Sequence, residues 1–145
     1  MGLAAVILTP LVTPAFSQDG DIYTGLLSRT GAGGHDVVAY FREGRPVRGL
    51  SRFSHSWRGA TWRFASEANR DAFAANPEAF APAYGGHCAW AAAQGYRAKG
   101  DPEHWRIVDG RLFLNYNADV QQTWEKDIPG FISAGDAKWT ATRLK

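Results

Sequence analysis

The stretch Phe53-Ser54-His55-Ser56-Trp57-Arg58-Gly59-Ala60-Thr61-Trp62-Arg63-Phe64 decides how the fold is read. Two short runs rich in aromatics flank an Arg-Gly pair. Glycine at the second centre of a two-residue turn is a strong hairpin signal, because that position needs a positive φ. Strand alternation puts Phe53, His55 and Trp57 on one face of the first strand, and Trp62 and Phe64 together on the second. His55 therefore points the same way as two large aromatics, inward.

Downstream the pattern returns. Trp105-Arg106-Ile107-Val108, then Asp109-Gly110, then Leu112-Phe113-Leu114-Asn115-Tyr116 read as a second hairpin with an Asp-Gly turn. Between the hairpins, Ser66 is an N-cap with Glu67 in the first turn of a helix running through Phe73. Asn76-Pro77 restarts a helix, with asparagine as cap and proline at the first position. Pro82 and Gly85-Gly86 end that segment, and a short alanine-rich helix runs from Cys88 to Gln94, closed by Gly95. The segment from there to Pro102 reads as loop. Asn117 caps a helix reaching Lys126, Asp127-Ile128-Pro129-Gly130 interrupts it, and a last helix covers 131–143. Upstream, Asp36-Val37-Val38-Ala39-Tyr40-Phe41 has strand composition, and Glu43-Gly44-Arg45-Pro46 supplies a turn. No internal repeat stands out. The fold class is α+β: a single compact domain with two small antiparallel β-hairpins and about four helices.

With 145 residues the chain has room for one domain, and its six Trp, five Tyr and eight Phe imply a core heavy in rings. Net charge is +2 and no run of like charge occurs, so the basic stripe of a nucleic-acid binder is missing and no nucleic-acid partner is expected. Residues 1–17 differ from the rest. Gly2 to Phe16 carries no charge, includes Leu3-Ala4-Ala5-Val6-Ile7-Leu8, and places Ala15 and Ser17 around a cleavage position before Gln18. The stretch lacks a basic start, and Pro10 and Pro14 break it, so no stable membrane span is expected. It reads as a secretory signal, which implies a periplasmic or secreted protein. Residues 18–34, with Gly31-Ala32-Gly33-Gly34, read as a flexible linker, and order is expected from His35 in a domain covering 35–143.

Cys88 is the only cysteine. In an oxidising compartment a structural cysteine normally has a partner, so a solitary one is a metal ligand, a reactive thiol, an intermolecular bridge or a buried small side chain. The sequence Ala83-Tyr84-Gly85-Gly86-His87-Cys88-Ala89-Trp90 sets it at a helix start, where thiols tend to ionise more readily. His87 adjoins it, His55 faces inward on the first hairpin, and His35 sits beside Asp36, a carboxylate that could orient its ring. Each has a plainer role as well: a rim imidazole for His87, a satisfied core histidine for His55, a turn residue for His35. His104 reads as a surface histidine of a loop. One thiolate with imidazoles suits copper first and zinc second, whereas a closed structural zinc site would show two or more cysteines at short spacing. Two rivals stand beside metal binding. One is a thiol enzyme with Cys88 as nucleophile and His55 or His35 as base. The other is a non-catalytic binding module in which Cys88 is simply buried.

Several segments together resemble a known family. Asp36-Val37-Val38-Ala39-Tyr40-Phe41, Gly59-Ala60-Thr61-Trp62-Arg63-Phe64, Asn69-Arg70-Asp71-Ala72-Phe73, Tyr84-Gly85-Gly86-His87-Cys88-Ala89, Val108 through Tyr116 and Trp124 through Phe131 are similar to the bacterial YHS domain proteins. The resemblance covers about His35 to Trp139. It implies a small metal-associated domain, often exported, with Gly85, Gly86, His87 and Cys88 as the cysteine element and His55 as the strand histidine. Relatives with several cysteines differ from this chain, so the resemblance also implies a metal site shared across a homodimer through two Cys88 thiolates.

Overall fold

The computed structural model describes residues 21–25 and 27–143. The signal-like stretch 1–17 lies outside them. A 3-10 turn, Gly31–Gly34, leads into α1 (Val37–Arg42). A hairpin of β1 (Leu50–Trp57) and β2 (Ala60–Phe64) follows, then α2 (Glu67–Ala75) and α3 (Pro77–Phe80). A second 3-10 turn, Ala83–Gly86, leads into α4 (Ala89–Gln94). The hairpin of β3 (Asp101–Val108) and β4 (Arg111–Asn115) comes next, then α5 (Ala118–Glu125) and α6 (Ile128–Arg143). The class is α+β, with two separate two-stranded antiparallel sheets and six α-helices among the described residues.

That order is one unit used twice. In each 3-10 turn a non-glycine residue takes the left-handed region, Ala32 at φ 51° and Tyr84 at φ 58°, followed by two glycines also at positive φ. His35 then bridges to Arg48, and His87 to Lys99. Both hairpins turn through a pair of left-handed residues, Arg58-Gly59 and Asp109-Gly110, which matches the twist of the flanking strands. Both carry an irregularity at the same place, between Leu50 and Ser54 and between Asp101 and Trp105. After each hairpin a polar cap starts a helix: the Ser66 hydroxyl accepts from the Asn69 amide, and the Asn117 side-chain oxygen from the Val120 amide. Each of those helices buries one large ring, Phe73 and Trp124.

The halves share a core asymmetrically. β2 alternates as its sequence predicts, with Ala60, Trp62 and Phe64 buried and the residues between them half-buried. On Phe73, fully buried, converge the rings of Phe64 (5.0 Å), Trp62 (5.3 Å), Trp57 (5.8 Å) and His55 (6.0 Å). β4 does not alternate, since Leu112 to Asn115 are all buried. Leu112 and Leu114 join the core of the first half, while Phe113 packs with Tyr84, Ala89, Ala92 and Trp124 in the second. A strand covered on both faces loses its two-residue period.

Three expectations need correction. Asp36–Phe41 is not a strand. Val37–Arg42 is helical because the Asp36 carboxylate caps it, accepting from the Val38 and Ala39 amides, and because Val37 to Tyr40 are buried on every side. A short apolar run buried all round shows no period by which to tell helix from strand. Residues 18–34 are not a flexible linker over their described part. Ile22, Thr30 and Ala32 are buried, Thr30 bridges to Thr61, and the Thr61 amide donates to the Arg29 carbonyl at 2.7 Å. The glycines there serve a left-handed turn against the Trp62 ring rather than mobility. Finally, the last helix begins at Ile128, since Pro129 sits in its first turn, where a missing N–H costs nothing. Elsewhere the caps at Ser66, Asn117 and Gly95 stand as read, although the Asn76 side chain makes no capping bond.

Candidate functional site

Cys88 is the N-cap residue of α4, and its thiol is 1% exposed. Its backbone is fixed from both sides: the amide donates to the Ala98 carbonyl at 2.8 Å and the carbonyl accepts from Ala92 at 3.0 Å. The side chain makes no capping bond. Instead Asn115, at the end of β4, reaches under the helix start and accepts from the Trp90 amide at 3.1 Å, while Sγ lies 3.6 Å from the same Oδ1. Cys88 thus occupies the place that Asp36 holds in the first half, and the capping oxygen has moved to Asn115. The Asn115 Nδ2 is buried and has no hydrogen-bond partner. The sulfur is therefore enclosed between the six-residue α4 and the buried end of β4.

The candidate histidines occupy three other settings. His87 is 8% exposed, with Nδ1 2.8 Å from the Tyr84 carbonyl and its ring between Tyr23 (5.6 Å) and Trp139 (5.4 Å). The Tyr84 carbonyl accepts the Nδ1 proton of the neutral ring. Burial holds its pKa below the ordinary value, outweighing the pull of the Tyr84 carbonyl. His55 lies half-buried on β1, edge-on to Phe73. His35, at the end of the first 3-10 turn, has Nε2 3.7 Å from Glu103 of β3, while its buried Nδ1 has no partner. His104 is half-buried on β3 rather than in a loop. Among the described residues no group of three or more His, Cys, Asp or Glu side chains is disposed to hold a metal ion. His35 and His87 are equivalent in the two halves, and for that reason they sit at separate turns.

A different feature joins the halves. A cleft of about 400 Å3 opens between the tips of the two hairpins, α3, the second 3-10 turn and α6. None of Cys88, His87, His55 or His35 lines it. Arg58, at the first tip, stacks its guanidinium over Trp57 at 4.4 Å and donates to Glu78 of α3 at 2.9 Å. Arg111, at the second tip, grips Asp136 of α6 with two parallel bonds of 2.9 Å, and the Tyr84 hydroxyl donates to the same carboxylate at 3.0 Å. Bidentate pairing of this kind is the strongest geometry open to an arginine. The Arg111 hydrogen bonds hold the Asp136 carboxyl below its usual range, and Asp136 in turn raises Arg111. Burial, with Asp136 beside it, pushes the Tyr84 phenol up. Tyr84 can reach Asp136 only because residue 135 is glycine: a Cβ there would stand 2.6 Å from the hydroxyl.

Sequence reading missed this cleft. Its charged residues are scattered over two turns and two helices, and only the matching Arg58-Gly59 and Asp109-Gly110 turns hint that both tips meet one space. Compared with family models, with curated proteins and with solved structures, the chain finds no match in any of the three.

Proposed function

We propose that this chain is a non-catalytic binding module that holds a small ligand in the cleft between its two halves. The observation carrying this reading is the cleft itself, about 400 Å3 and walled by the Trp57 and Trp139 rings together with the Arg58–Glu78 and Arg111–Asp136 pairs. Ligand sites are typically concave, of this size, and furnished with a few placed polar groups among apolar ones. The fixed Tyr84–Asp136–Arg111 group gives the cleft a preformed floor. The cysteine then has a structural role under α4, which fits its burial.

The resemblance to the YHS domain proteins supports a rival, in which the protein handles copper, or zinc, through Cys88. That reading requires the helix start to open, because a buried sulfur offers no position to an incoming ion or to a second subunit's thiolate. Among the described residues no helix is long and apolar enough to cross a membrane. The apolar stretch of 1–17 supports export to the periplasm or beyond.

One pair of measurements tests the choice. A thermal-shift screen of small molecules is run on the wild type and on Ala79→Trp, which fills the cleft from its exposed α3 wall; Cu(I) uptake is measured by competition on the wild type and on Cys88→Ala. Cleft binding predicts stabilising compounds whose effect is lost in Ala79→Trp, with no stoichiometric copper in either metal-assayed protein. Stoichiometric Cu(I) that disappears in Cys88→Ala would overturn it.

A further inference from the structure

The two ion pairs of the cleft are built differently, and the difference selects a ligand. Arg111 and Asp136 are locked by two bonds and a tyrosine hydroxyl. Asp21, also on the wall, lies 3.5 Å from Arg97. Arg58 and Glu78 share one hydrogen bond; the Glu78 side chain is 74% exposed, that of Arg58 only 33%. A solvated pair of this type contributes little to stability, so it opens at small cost. When it opens, Glu78 swings into water, whereas Arg58 stays where the Trp57 ring holds it. The charge then left uncompensated in the cleft is positive, and it lies beside an apolar wall of Trp57, Ala79, Ala81 and Pro82.

Resting on the cleft reading above, we infer that the ligand class is a small organic carboxylate with an apolar body, whose carboxylate replaces Glu78 on Arg58. The planar guanidinium offers a carboxylate two parallel donors. The ring or chain of the ligand lies along Trp57 toward Trp139.

Three phenyl-bearing probes of similar size and different charge test this: phenylacetate, phenethylammonium and benzyl alcohol. Each is titrated by calorimetry into the wild type, Arg58→Gln, Glu78→Gln and Ala79→Trp, with the indole N–H resonances of Trp57 and Trp139 followed by NMR. The expected result is saturable binding of phenylacetate that weakens about tenfold to a hundredfold in Arg58→Gln. In Glu78→Gln, where the competitor is gone, it tightens, and in Ala79→Trp it is lost. Should phenethylammonium or benzyl alcohol bind as well as phenylacetate and respond to Ala79→Trp, the carboxylate inference falls while the cleft reading stands. An unchanged affinity in Arg58→Gln has the same meaning. If none of the three binds, or Ala79→Trp affects none, the cleft reading falls with it.

Discussion

Removing the Asp36 carboxylate should cost far more than removing the Cys88 thiol, although the two residues hold equivalent positions. The fully buried Asp36 side chain accepts four N–H groups: Val38 at 2.9 Å, Ala39 at 3.1 Å, Ala65 at 2.9 Å and the Asn69 side-chain amide at 2.8 Å. Asp36→Ala strands two wholly buried backbone donors, at about 1–3 kcal/mol each, and removes a helix cap whose loss alone costs about 1 kcal/mol. These overlap, so a total of about 4 kcal/mol is expected. Cys88→Ala loses a weak sulfur contact and a small volume, because Asn115 still serves the Trp90 amide; about 1 kcal/mol follows. Asp36→Asn should fall between them, since its NH2 would face the Ala65 amide and Asn69 side-chain donors. Urea unfolding followed by tryptophan fluorescence measures all three. With a slope of about 2 kcal/mol per M, the midpoint should drop by about 2 M for Asp36→Ala and about 0.5 M for Cys88→Ala. Equal shifts for the two alanine variants would refute the assignment of the capping role to Asp36 in one half and to Asn115 in the other.

Two further outcomes are expected. His87 is buried with its pKa below the ordinary 6.5, so the unfolded chain takes up a proton that the folded one refuses; stability is full above that value and falls as pH drops below it. The acid-side slope of the melting temperature should shrink in His87→Phe, and an unchanged slope would remove His87 from the account. Phe73→Ala and Trp124→Ala, each emptying a fully buried ring site, should each cost about 3–5 kcal/mol, and a loss under 1 kcal/mol at either would contradict the packing described.

Much of the architecture was legible because it is written in local chemistry. The Arg58-Gly59 and Asp109-Gly110 turns, the Ser66 and Asn117 caps and the Gly95 stop each act within a few residues of themselves. What misled was context. Val37 to Tyr40 carry strand-like side chains yet coil into α1, since burial on all sides and the Asp36 cap outweigh intrinsic preference. The duplication was hidden because equivalent sites carry residues of different type, and in one case exchange tasks: Asp36 against Cys88, Phe64 against Asn115, Phe73 against Trp124. The candidate site suffered from the same blindness. Cys88, His87, His55 and His35 were grouped by chemical type, but the fold distributes them by position in the repeat. The cleft residues carry no motif, because Arg58, Glu78, Arg111 and Asp136 are common surface types until the chain brings them to one opening.

The doubly covered β4 has a consequence for how the protein is made. Leu112 and Leu114 complete a core whose other buried members belong to the first half of the chain. During synthesis, at about 5–20 residues per second, that earlier half must wait several seconds for the strand that seals it. Until then Trp62, Phe64 and Phe73 form an open greasy face on a nascent chain, suited to a chaperone's grip, and the arrival of one late strand turns two unfinished halves into a single cooperative body.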